Sequence, residues 1–239
     1  MPERDVTLTT SDGPMRAYEA TPVRESPPSA VIVIPEAFGL NDHIESITER
    51  IAEADHIGLG LDIFHRSGGG TAPYDDFAKV LPLFEGLTDD GLLTDIDAAR
   101  AHLHDAGIED DHIGVVGFCF GGRATFLAAA RRALGACVGF YGGGIVTARF
   151  PQFPPLIDES PELQTPWLGL FGDADESIPV ADVERLRSTL DEQAAVSHEV
   201  VRYPGAQHGF NCDQRPSYDT AAAADGWQRT LDWFRTHLN

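Results

Sequence analysis

The segment that most constrains this chain runs Ile113-Gly114-Val115-Val116-Gly117-Phe118-Cys119-Phe120-Gly121-Gly122 and continues alanine-rich to Arg132. The β-branched run Ile113 to Phe118 predicts a strand buried on both faces, and Gly121 to Arg132 a helix packed tightly against a sheet. Between them lies Gly-Phe-Cys-Phe-Gly. A sharp strand-to-helix turn forces its central residue into a strained conformation, and the residues two away on either side must be small. Gly117 and Gly121 meet that demand. Cys119 then stands at a helix N-terminus, where free N–H groups and the helix dipole favour an anion, here a thiolate. A buried strand-end cysteine beside packing glycines is the bland alternative, and the strand–turn–helix context weighs against it.

The rest of the chain follows the same alternation. Asp5 to Ala20 reads as an antiparallel hairpin turning at Ser11 to Pro14, followed by a Pro/Ser/Glu-rich joint, Pro22 to Ser29. Strands are expected at Ala30 to Pro35, Ile57 to Phe64, Ala136 to Tyr141, Trp167 to Phe171 and His198 to Tyr203. Helical spacing links Ile44, Ile47, Ile51 and Ala54, then Val183, Leu186 and Leu190, and finally Trp227, Leu231, Phe234 and Leu238. Further helices are expected over Asp75 to Phe84 and Asp89 to His104, with His65 to Pro73 a mobile glycine-rich loop. Short apolar strands alternating with amphipathic helices imply an α/β fold, a mostly parallel central sheet with helices on both faces. No break in composition divides it, so residues 1–239 are expected to form a single domain.

Composition serves mainly to exclude. The formal net charge of −21, from 38 acidic and 17 basic residues, repels phosphate backbones and anionic lipid, so no nucleic acid and no membrane partner is expected. Lys79 is the single lysine. Acidity with arginine preferred suits a salt-loving source, although a GC-rich genome also depletes lysine. No stretch approaches the roughly 18 apolar residues of a membrane span. The start, MPERDVTLTT, lacks the basic-then-apolar run of a signal peptide, so a cytoplasmic location is expected. The three cysteines, Cys119, Cys137 and Cys212, form no CxxC pair and no zinc pattern, leaving room for one reactive thiol.

A cysteine elbow calls for an acid and then a histidine later in the chain. After the strand ending at Phe171 come Asp173 and Asp175, and spacing leaves both open, with Asp173 able to cap the turn instead. After the strand ending at Tyr203 comes His208 in a glycine-bearing loop. His208 would manage the thiol's proton, and an acid behind it would fix the ring's tautomer.

Together with Pro35-Glu36-Ala37-Phe38-Gly39, Asp62-Ile63-Phe64, Phe140-Tyr141-Gly142-Gly143, the Gly172 to Pro179 segment and His208-Gly209-Phe210, the GFCFGGR elbow resembles the dienelactone hydrolase (carboxymethylenebutenolidase) family over nearly the whole chain. The resemblance implies the α/β-hydrolase fold and selects Asp175, three residues after Gly172 and four before Pro179. It implies that Glu36 lies beside the thiol and shares its resting proton balance. A carboxylate there disfavours the thiolate, so the site would be gated by substrate binding rather than permanently active. The bland reading of Glu36 is a solvated loop acid. The elbow and the family alike imply an oxyanion hole from the backbone N–H groups of Phe120 and Ala37. Tyr141 matches a family position near the site and could contact substrate, or simply anchor its loop.

The match weakens at the arginines that hold an anionic substrate in this family. One falls where this chain has Cys212, the other within Gly68 to Asp97, where no arginine stands. Arg66 and Arg215 are the candidates to replace them, whereas Arg123 belongs to the elbow segment and reads as structural. Cys212 reads as a passive loop thiol or one within reach of the pocket, and Cys137 as core. The function implied is acyl transfer from an enol lactone or activated ester through a thioester on Cys119, with no metal or cofactor. A general carboxylesterase and a non-catalytic ligand-binding or redox-responsive protein on the same scaffold are the alternatives. The partner is a small-molecule ester or lactone. Oligomeric state stays open, a monomer being compatible.

Overall fold

The computed structural model describes residues 2–23 and 29–238, so residues 24–28 of the expected Pro22 to Ser29 joint lie outside the described residues. Strands β1 (Glu3–Thr10) and β2 (Gly13–Ala20) form the expected hairpin, with Gly13 at φ 120°, a conformation open mainly to glycine. There follow β3 (Ala30–Ile34), α1 (Asp42–Glu53), β4 (Ile57–Leu61), α2 (Val80–Phe84), α3 (Asp89–Asp105), β5 (Ile113–Phe118) and α4 (Phe120–Arg131). The chain continues through β6 (Ala136–Phe140), β7 (Trp167–Gly172), α5 (Val180–Gln193), β8 (His198–Tyr203) and α6 (Thr220–His237). Asn41 caps α1 by accepting from the Ile44 N–H, and Thr88 caps α3 through Gly91.

Among the described residues all eight strands lie in one sheet, ordered β1-β2-β4-β3-β5-β6-β7-β8. The hairpin joins antiparallel to β4, and every later pair is parallel. Strands β3 through β7 are buried along their whole length, which explains their unbroken apolar runs. Parallel strands send their C-terminal loops to one edge, so the segments after β3, β5, β6, β7 and β8 converge there. Helix α4 packs under that edge with Phe120 through Ala130 all buried. The Phe126 and Trp167 rings meet edge to face at 5.1 Å, and each such buried side chain contributes about 1.5–3 kcal/mol.

Four expectations shift in detail. Strand β4 stops at Leu61 because the Asp62 carboxylate accepts the Phe64 N–H at 3.2 Å and turns the chain. The helix expected over Asp75 to Phe84 breaks into a 3-10 turn, Phe77–Lys79, and the five-residue α2 with Pro82 inside it. The loop from His65 to Pro73 is tied at several points: Asp62 accepts the Gly70 N–H at 3.4 Å, and Ala72 donates to the Phe38 carbonyl at 3.1 Å. On α6 the buried stripe runs through Ala222, Ala223, Gly226, Thr230 and Phe234, while Trp227 and Leu231 are half-buried. Small residues let this helix approach closely; a Cβ on Gly226 would stand 3.0 Å from the Phe140 ring.

Among the described residues, no helix is long and apolar enough to cross a membrane.

Candidate active site

Cys119 sits between β5 and α4 at φ 54° and ψ −111°, a backbone setting that L residues hold only when their surroundings impose it. The neighbours impose it here. A Cβ on Gly121 would strike the Ile34 carbonyl oxygen, and one on Gly117 would strike that of Gly121. The Cys119 N–H donates to the Phe140 carbonyl at 3.0 Å, tying the elbow to the next strand.

The thiol points at the loop after β8. His208 Nε2 lies 3.0 Å from Cys119 Sγ, and Nδ1 lies 2.6 Å from Asp175 Oδ2 in the loop after β7. Asp175 is buried, and its Oδ1 accepts the Ser177 N–H at 2.8 Å and the Ser177 hydroxyl at 2.5 Å. Ser177 Oγ is also 3.3 Å from His208 Nδ1, a bracing contact not anticipated from the sequence. Asp173 is committed elsewhere, in a two-pronged pair with Arg202 at 2.7 and 2.9 Å. Of the two acids that spacing left open, the one paired with His208 is Asp175.

Electrostatics follow from this geometry. Burial works against a charged His208, but the Cys119 sulfur and the Asp175 carboxylate outweigh it and raise the imidazole to about 10. Burial likewise opposes the Asp175 charge, yet His208 and Ser177 hold its carboxyl below the ordinary range. Because the charge on sulfur is the largest contribution raising His208, Cys119→Ala is expected to move its ring titration toward neutral pH. Imidazole NMR shifts followed against pH check this; an unmoved midpoint would mean that the thiol and ring do not share a proton.

Ala37 and Phe120 line the cavity beside Cys119. Phe120 opens α4, where helix geometry leaves an N–H without an intrahelical acceptor. Glu36 is buried after β3, but its Oε1 accepts from Arg215 Nη1 at 3.3 Å, and Oε2 has no partner. In this geometry the thiol faces His208 while Glu36 faces Arg215. Tyr141 is fully buried at φ 39°, its ring edge-on to His208 at 5.1 Å, and is not among the cavity-lining residues. It backs the imidazole from behind rather than facing a substrate.

The cavity has a volume of about 250 Å³. Arg215 lines it, as do Arg149 and Arg123. Arg123 is buried, its two terminal nitrogens taken by Asp89 at 2.6 and 3.0 Å and the Pro154 carbonyl at 2.7 Å, a structural clasp between α3 and α4 that leaves only its Nε without a partner. Arg66 is held away by Asp12 and Asp95 at 2.7 and 2.8 Å. Cys212 is buried, 3.4 Å from the Tyr74 hydroxyl, and Cys137 lies in the core, where burial pushes both thiols up. Arg149, from the long β6–β7 connection, and the aromatic walls had no signal in spacing.

An elbow at the centre of a mostly parallel eight-stranded sheet, with its partners on the loops after later strands, is the arrangement of the α/β-hydrolase fold. The crystal structure of a Klebsiella pneumoniae protein, provisionally named dienelactone hydrolase, superposes with a TM-score of 0.89 over 98% of both chains at 34% identity. The chain belongs to the dienelactone hydrolase family, whose model matches residues 15–238. A Methylorubrum extorquens protein provisionally named carboxymethylenebutenolidase is 35% identical over 98% of this chain and 80% of its own. A Bradyrhizobium protein provisionally named 2-oxo-3-(5-oxofuran-2-ylidene)propanoate lactonase is 33% identical over 93% of this chain and 89% of its own. The chain is accordingly a hydrolase of carboxylic ester bonds.

Proposed function

We propose that this hydrolase works through Cys119 as nucleophile, Asp175 and His208 as its partners, on an enol lactone or comparably activated small-molecule ester. The observation that carries the reading is the unbroken chain from Cys119 Sγ through His208 to Asp175, at 3.0 and 2.6 Å. Thiolate sulfur attacks the carbonyl carbon while the N–H groups of Ala37 and Phe120 receive the developing oxyanion. The C–O bond breaks, and the leaving enolate takes the proton from His208 Nε2, leaving a thioester. His208 then draws a proton from water, whose oxygen attacks the thioester and releases the acid, returning the proton to the ring and the charge to sulfur.

Arg215 is the anchor for a negative group on the substrate, through a guanidinium fork that suits a carboxylate. Glu36 is the gating acid. A substrate carboxylate drawing on Arg215 would loosen the Glu36 contact and alter the charge felt at the thiol. Its unpartnered Oε2 supports such a role, because an acceptor buried without a donor is costly to keep. Every step is carried by side chains and backbone of this chain, and the relatives' lactonase and butenolidase names agree with the substrate class. The reading suits a cytoplasmic protein acting alone on a small molecule.

Trapping tests it. Mixing the protein with excess vinyl acetate and quenching in acid is expected to leave an acetyl adduct on the peptide containing Cys119. An adduct on another residue, or product release without any acetyl adduct on Cys119 in the quenched protein, would overturn the assignment of the nucleophile.

A further inference from the structure

We infer that the acyl portion of the substrate carries a flat aromatic ring, held by a slot of four phenylalanines, Phe84, Phe120, Phe150 and Phe153. The inference rests on the cysteine-hydrolase reading and names the substrate class for that same site. All four residues line the cavity that holds Cys119 and His208. Their rings meet mostly at steep angles, Phe84 to Phe120 at 4.9 Å and Phe120 to Phe153 at 4.9 Å, with Phe84 to Phe150 tilted at 5.3 Å. Such a cluster offers ring faces and edges to a guest, the pattern that receives another ring rather than a polar group.

The chemistry of the site says which part of the substrate enters the slot. The carbonyl oxygen must reach the Ala37 and Phe120 N–H groups, and the leaving oxygen must reach His208 Nε2. What remains for the acyl arm is the side walled by the phenylalanines, whose member Phe120 also supplies an oxyanion donor. A charged or hydroxylated arm laid against these four rings would lose its water with no partner among them, and Arg149, which lines the same cavity, donates to Ser177 at 2.9 Å. Arg123 also lines the cavity, but its two terminal nitrogens are taken by Asp89 and the Pro154 carbonyl, leaving only a buried Nε unpaired, and it sits 5.3 Å from the Phe153 ring. At the mouth, Phe77 is 52% exposed, an apolar side chain left in water on a strongly acidic protein.

The test compares two enol esters that share one carbon skeleton, vinyl hydrocinnamate and its ring-saturated counterpart, vinyl cyclohexanepropanoate. The saturated ester is the more hydrophobic, so simple burial favours it; a flat ring in an aromatic slot reverses that order. Native protein is expected to favour hydrocinnamate by about threefold to tenfold in kcat/KM, carried mainly by KM. Phe150→Leu and Phe153→Leu are each expected to draw that ratio toward one, and reading a ratio within each variant cancels any loss of folded protein. Equal values in native protein, a preference for the saturated ester, or a ratio unchanged in both variants would overturn the inference. If native protein cleaves neither ester, or Cys119→Ala cleaves both as well as native, the cysteine-hydrolase reading falls and takes this inference with it.

Discussion

Cys119→Ala is expected to lower kcat/KM for an enol ester by about 10⁴-fold or more, the scale seen when a nucleophile acting as part of a unit is removed. The loss should lie in kcat, because substrate still meets the aromatic walls and Arg215. The fold should survive, since Cys119 is only partly buried and alanine retains the Cβ that the φ 54° backbone already accommodates. Steady-state kinetics and a thermal melt on the same preparation check both statements. A variant that keeps a tenth of native activity would end the case for Cys119 as nucleophile.

Asp175→Asn is the next largest, with about 10³- to 10⁴-fold lost from kcat at neutral pH. The carboxylate accepts from His208 Nδ1 at 2.6 Å, which leaves Nε2 to exchange its proton with sulfur. An amide nitrogen there donates to Nδ1 instead and favours the tautomer with its proton on the wrong nitrogen. Ser177, 3.3 Å from the same ring nitrogen, can brace the ring but supplies no negative charge. Stability carries a second signature. The Asp175 carboxyl is held below the ordinary range, so its stabilising contribution is present above the unfolded carboxylate pKa of about 4 and is lost as pH falls through the lower, folded value. The melting temperatures of native and Asp175→Asn protein should therefore differ most near neutrality and converge in acid. A gap that stays constant with pH would show that Asp175 carries no linked charge.

What could be read from the residues alone was whatever short-range rules dictate. The elbow was legible because Gly117 and Gly121 have no room for a Cβ, and the strands because burial on both faces leaves no polar alternation. The separation of Asp173 from Asp175 was not, since it depends on Arg202, which the sheet brings in from β8. Arg215 was legible only as one of two candidates, and its distinction from Arg66 comes from long-range pairs, Asp12 and Asp95 for one and Glu36 for the other. Ser177, Arg149 and the phenylalanine slot come from connections whose course follows packing rather than periodicity. The shifted stripe of α6 has the same origin: spacing pointed to Trp227, Leu231, Phe234 and Leu238, of which Phe234 and Leu238 are buried, but close approach to Phe140 favoured the face carrying Gly226 over Trp227 and Leu231.

The pairing of Glu36 with Arg215 also governs how substrate arrives. Arg215 meets the cavity with its charge already countered by a buried carboxylate, and Arg123 is countered by Asp89. Around them lies a chain of net charge −21. An anionic ester thus approaches against the far field of the protein and feels an attractive guanidinium only at close range. Steered enzymes capture charged substrates fastest at low salt; this one is expected to invert that rule. Added salt shortens the reach of the repulsion from about 10 Å at 0.1 M toward about 3 Å at 1 M, so capture of anions quickens with ionic strength while neutral esters arrive at a rate that salt leaves alone.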